Sequence, residues 1–205
     1  MSVQGTPVAW HLRWESLILN FFEDILEVSC FGHMVIAICR MAGFNALRNT
    51  YRPLSSTSIA EFFNRYYYYY KELVVDFFFY PAFFRYWKRN PRLRLIFATF
   101  SAACFGNIFY HFTKDWTLIR DGGLLKALSD NQVLAFYCTA LAIMLSISQL
   151  RKKRVRPTGL MRGQILPAIR VCFLFFLLDV FVENRPEYPL LDHLRYLMSL
   201  FFIHL

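Results

Sequence analysis

The sequence predicts an all-α protein, a polytopic membrane bundle of about five or six membrane-associated helices, and three observations predict it. Of its 205 residues, 57% are hydrophobic and 19% aromatic, with a mean hydropathy of +0.33, well beyond soluble usage. Residues 95–113, LIFATFSAACFGNIFYHFT, carry no formal charge over 19 positions, close to the roughly 20 that cross a bilayer. The net charge is +9, and the basic residues sit beside apolar runs. A lipid surface is therefore the expected partner, and nucleic acid is not. The chain is one membrane domain over 1–205.

Taken in order, residues 1–16 lack the basic, apolar and small-residue succession of a cleavable signal, so a mature helix is expected to direct insertion. Residues 17–40 have a helical pattern but hold Glu23, Asp24 and Glu27 in their first half. Only the part from Val28 onward need be immersed. A second helix is expected over 59–80, where Ser58 and Glu61 stand three apart in the spacing of a capping box. Asn90-Pro91 signals a turn, and the uncharged 95–113 helix follows.

The connection 114–131 balances Lys114, Arg120 and Lys126 against Asp115, Asp121 and Asp130. Further spans are expected over 133–150, over 165–182 despite Pro167, Arg170 and Asp179, and over 189–205 around Asp192, His193 and Arg195. Together 133–205 form the C-terminal transmembrane helices. The segments 87–94 (WKRNPRLR) and 151–162 (RKKRVRPTGLMR) are strongly basic and are expected to face the cytoplasm. For the second, a solvated loop that only sets topology is the plainer reading. The five cysteines stand singly in apolar stretches, form no CxxC pair and imply packing rather than a disulfide framework or a metal site. No internal repeat is present.

The turn at Asn90-Pro91 folds the 59–80 and 95–113 helices into an antiparallel pair. With a pivot near Arg89, position 111 lies opposite 67–69, which brings His111 to the segment 64–71. His111 is about 25 Å along the helix from Arg94 at about 1.5 Å per residue, deep in a bilayer. Asn107 is one turn earlier, and Asn64, Tyr67 and Lys71 share a face of the preceding helix. An ionisable or polar group in lipid is a functional candidate by default. The plainer reading makes His111 a hydrogen-bonded packing residue with Asn107 as its partner. Glu72 and Asp76 are expected to pair with Lys71 or Arg65.

These residues resemble the membrane-bound O-acyltransferase family (MBOAT), nearest to its bacterial branch that O-acylates polysaccharides and teichoic acids. The likeness covers 45–113. RPLSSTSIAEFFNRYY and VDFFFYP follow the order of that branch's Arg-Pro-serine loop, F-W-x-R-W-H helix and D-[YF]-x-[YF]-x-P ending. GNIFYH, residues 106–111, stands where the family has its G-x-[WF]-H-G type signature. The resemblance implies a partial MBOAT-like fold and makes His111 the counterpart of the catalytic histidine. The family's second polar position falls in the 64–67 segment, where it is either lost or taken by Asn64. Tyr67 replaces the histidine of the first motif, and Phe112 replaces the glycine after the second. The chain resembles the family's C-terminal half, which implies a second membrane subunit, a homodimer or loss of function.

The expected chemistry is O-acyl transfer. Neutral His111 takes the proton of an acceptor hydroxyl, on a polysaccharide or lipid, as that oxygen attacks an acyl thioester; Asn64, Asn107 or Tyr67 steadies the oxyanion. Lys71 supports the site. The donor is acyl-CoA or another acyl thioester, whose phosphates suit the basic loops, and neither a metal nor a tightly held cofactor is expected. An integral protein of the bacterial inner (plasma) membrane fits this chemistry. The alternative is a catalytically silent, acyltransferase-derived subunit of a larger membrane complex. A transporter or channel subunit ranks last, for want of an inverted repeat.

Overall fold

A computed structural model describes residues 9–114, 116–150, 159–182 and 188–202. Every regular element among them is helical. The first, α1 (Trp10–Met41), has 32 residues, about 48 Å at 1.5 Å per residue. It extends beyond both ends of the expected 17–40 segment. Its Phe21 and Ile25 enter the main core with Phe62 and Tyr66, Leu141 and Leu145, and Val171, Phe175 and Leu178.

The expected 59–80 helix is interrupted and runs further: α2 (Ile59–Tyr66), α3 (Tyr68–Val74), a wide π turn over Val75–Phe79, and α4 (Tyr80–Arg85). Ser58 caps α2 by accepting from the Glu61 N–H at 3.2 Å, while the Glu61 carboxylate accepts from the N–H and hydroxyl of Thr57 at 2.8 and 2.7 Å. The capping pattern is thus present with its reciprocal arm moved back one residue. Tyr67, at φ −128 and ψ 67, breaks the helix.

The turn at 86–90 leads into α5 (Pro91–Phe100), where Asn90 caps the N-terminus by accepting from the N–H groups of Arg92 and Leu93 at 3.2 Å each and Pro91 takes the first helical position. A second π turn (Ser101–Gly106) and α6 (Asn107–Lys114) complete this arm. The two arms are antiparallel with the expected register. The Arg94 guanidinium lies 4.2 Å from the Phe83 ring centroid, and Tyr70 bonds Asn107 at 2.7 Å. At Gly106 the packing requires glycine, because a Cβ would stand 2.9 Å from the Phe78 ring.

Residues 114–131 are not a plain connection: α7 (Trp116–Asp130) is helical around a break at Gly123, φ 77. The helix α8 (Gln132–Leu150) returns antiparallel to α5 and α6, with Thr99 bonded to Gln149 at 2.7 Å and Cys104 3.7 Å from Thr139. Small buried residues, Ala98, Ala102 and Ala142, allow this close approach. The geometry puts Arg94 and Leu150 at the same end of the bundle; 151–158 lie outside the described residues. A π turn (Met161–Ile165) then opens into α9 (Leu166–Asp179).

Among the described residues, three helices are long and apolar enough to cross a membrane: Pro91–Lys114, Gln132–Leu150 and Met161–Asp179. The expected 189–205 span is different. Among its described residues, 189–202, the helix is α10 (Leu190–Ser199), of 10 residues, about 15 Å and short of a bilayer crossing. It docks on the start of α1, where the Trp10 and Trp14 indoles donate to the Leu200 carbonyl at 2.8 and 3.2 Å and Arg13 donates to Ser199.

Candidate functional site

Two interruptions shape the interior of the hairpin. At Tyr67 the helix leaves backbone groups that its own turns no longer satisfy, and residues 49–51 run alongside and supply partners. The Tyr51 N–H donates to the Arg65 carbonyl at 2.7 Å, the Thr50 hydroxyl donates to the Tyr66 carbonyl at 2.9 Å, and the Tyr68 N–H donates to the Asn49 carbonyl at 3.0 Å. Each unmade bond would cost several kcal/mol in hydrocarbon, so this brace is what makes a broken helix tolerable. Around it, Arg65 pairs with Glu61 at 2.7 Å and donates to Ser55 at 2.6 Å. Arg52 enters the short 3-10 turn Pro53–Ser55 with a left-handed φ of 48.

The second feature is a pair of π turns, Val75–Phe79 and Ser101–Gly106, packed against each other. Such turns widen a helix and often mark functional positions. Beside them lies a cavity of about 290 Å³, walled by apolar side chains of both arms and of α8. Its polar lining is Asn64, Tyr70, Lys71, Thr99, Asn107 and Gln149.

Three of the five expected site residues therefore share one cavity. Asn64 is exposed, Lys71 is partly buried and paired with Glu72, and Asn107 is buried with its side-chain oxygen accepting from the Tyr70 hydroxyl. Lys71 also stands 5.3 Å from the Tyr68 ring centroid. His111 is half-buried on α6, one turn past Asn107, with its ring 5.6 Å from that of Tyr110; it is not among the lining residues. Tyr67 is also outside the lining, and its ring packs on Tyr66 at 4.2 Å and against the main core. Of the expected ion pairs, Glu72 takes Lys71 while Arg65 takes Glu61.

The sequence reading missed Tyr70 as the partner of Asn107. The signal was present, since a pivot near 89 sets position 107 opposite about 70. It also missed the Thr99–Gln149 bond, which depends on the register of a third helix. Among the described residues, no group of three or more His, Cys, Asp or Glu could hold a metal ion. No family model, curated protein or solved structure matches this chain.

Proposed function

We propose that the chain is a membrane-bound O-acyltransferase of MBOAT-like type, with about five or six membrane-associated helices, in the inner (plasma) membrane of a bacterium. The observation that carries the reading is the convergence of Asn64, Lys71 and Asn107 on one largely apolar cavity, with His111 one turn beyond Asn107. The apolar walls suit the acyl chain of a thioester donor, acyl-CoA or a related species. The polar lining suits the reacting carbonyl.

In the proposed reaction, neutral His111 accepts the proton of a polysaccharide or lipid hydroxyl as the oxygen adds to the thioester carbonyl. Asn64 or Asn107 donates to the oxyanion, and Lys71 adds positive charge nearby. Collapse breaks the carbon–sulfur bond, forms the ester and returns the proton from the imidazolium to the departing thiolate. Exclusion of water limits thioester hydrolysis.

The test is acyl transfer to a hydroxyl acceptor by membranes containing the wild-type chain or His111→Ala. The variant is expected to lose about 10²- to 10⁴-fold, the range for a general base. Equal rates would end the proposal. A second reading, a catalytically silent subunit derived from such an enzyme, is favoured by the cavity lining, which omits His111 and includes an Asn107 oxygen already bonded to Tyr70. It expects a second membrane chain, or a second copy, to copurify in fixed ratio, with no effect of His111→Ala.

A further inference from the structure

The end of the hairpin carries charge that no ion pair among the described residues answers. Arg85, Lys88, Arg89, Arg92 and Arg94 fall within ten residues, and residues 77–114 contain no Asp or Glu. The ion pairs among the described residues involve none of these cations. Lys88, Arg89 and Arg92 are exposed.

Arg94 differs from them. Its guanidinium is held over the Phe83 ring at 4.2 Å, and its Nε is buried without a hydrogen-bond partner. A buried guanidinium N–H is costly to leave unmade, and its rigid fork fits the oxygens of a phosphate. The N-terminal N–H groups of α5 are already taken by Asn90. The free donors at this turn are therefore side chains rather than the helix end.

The surroundings define what kind of phosphate fits. The turn opens the Pro91–Lys114 helix, one of those long and apolar enough to cross a membrane. On the adjoining arm, Tyr80 and Phe84 are exposed at 46% and 66%, and their rings stack at 6.0 Å. On the arm that leads into the cationic turn, this aromatic strip presents an exposed apolar face beside the start of a helix apolar enough to cross a membrane. A soluble phosphate would have no use for it.

We propose that the 85–94 turn binds an acidic phospholipid, with the headgroup phosphate on Arg94, the neighbouring cations around it, and an acyl tail along Tyr80 and Phe84. The site is separate from the cavity and does not depend on acyl transfer. Binding to the folded chain raises its stability with lipid concentration, and added salt weakens the contribution of the exposed cations.

The experiment measures the thermal midpoint of the purified full chain in a neutral detergent with added phosphatidylglycerol, phosphatidylcholine of the same tails, or inorganic phosphate. Phosphatidylglycerol is expected to raise the wild-type midpoint by several degrees more than phosphatidylcholine, with no comparable effect of inorganic phosphate. Arg94→Met should lose at least half of that difference, Arg92→Gln a smaller part, and Arg94→Lys should fall between Arg94→Met and wild type. Equal shifts from the two lipids would overturn the proposal, as would the full difference surviving in Arg94→Met. A shift reproduced by inorganic phosphate would assign the turn to a soluble anion instead. Should Arg94→Met not fold, native mass spectrometry of the wild type decides: preferential retention of phosphatidylglycerol supports the site, and equal retention overturns it.

Discussion

The hairpin of α2 to α6 and the single helix α8 lie side by side in one bundle and solve the same problem in opposite ways. In α8 the hydroxyls of Thr139 and Ser146 bond carbonyls four residues back, at 2.8 and 2.7 Å, so each of these hydroxyls has an acceptor within its own helix. In the hairpin, Thr50 serves Tyr66 and Tyr70 serves Asn107, and both arms carry a π turn. The regular helix offers the cavity Leu141, Leu145 and Gln149 as a wall, whereas the interrupted arms supply Asn64, Tyr70, Lys71 and Asn107. Most of the cavity's polar groups, Asn64, Tyr70, Lys71 and Asn107, are gathered on the interrupted arms, where backbone and side-chain groups are shared between elements; the Thr99–Gln149 bond shows that two regular helices share a polar pair as well.

The largest test of this contrast concerns the packing that joins the two kinds of structure. Phe62 is 1% exposed and stacks on Phe175 at 4.0 Å, tying the broken arm to α9. Phe62→Ala is expected to cost about 3 to 5 kcal/mol by equilibrium unfolding in detergent. A loss near zero would mean that the hairpin is not seated on the rest of the bundle as described. A smaller effect is expected at the brace. Thr50→Val keeps the shape of the side chain but removes the donor to the Tyr66 carbonyl, at a cost of about 1 to 3 kcal/mol for a buried group left unsatisfied. The matching change on α8, Ser146→Ala, leaves only a carbonyl already bonded within its helix. It should cost less than Thr50→Val, and equal losses at the two positions would erase the distinction between shared and internal polar groups.

Much of the hairpin was legible in the sequence because its determinants are local. Asn90-Pro91 fixes the turn, Ser58 fixes a helix start, and equidistance from the pivot pairs the two arms antiparallel, a register with which the Tyr70–Asn107 bond agrees. The break at Tyr67 was not legible. Its neighbours are all tyrosines, and what makes the break affordable is a segment about twenty residues earlier, whose role appears only when the chain folds back. The π turns escape for a related reason, since a single inserted residue in an apolar run leaves no mark on composition. Balanced charges over 114–131 suggest a loop and hide the helix α7, while the apolar composition of 189–205 suggests a span longer than α10, whose Asp192, His193 and Arg195 point the other way. Asn64, Lys71 and Asn107, three of the cavity's polar groups, are legible because asparagine and lysine are conspicuous in such a segment. His111 was singled out in the same way, but the wall next to it depends on side-chain packing and not on helical register.

The smallest expected effect is the most informative about the cavity. Tyr70→Phe removes the hydroxyl that donates to Asn107 and leaves the ring, which meets Tyr110 edge-on at 4.8 Å, in place. The net loss of one hydrogen bond is about 0.5 to 1.5 kcal/mol, because the released Asn107 oxygen borders the cavity instead of being sealed in apolar packing. The change separates the two functional readings. In an acyltransferase, an Asn107 freed from Tyr70 is reoriented toward or away from the reacting carbonyl, so turnover changes while stability hardly does. In a silent subunit the same substitution registers only in unfolding, by that small amount. A stability loss well above this range would show that the Tyr70–Asn107 bond is a sealed structural contact, and the polar end of the cavity would then be part of the fold rather than of a binding site.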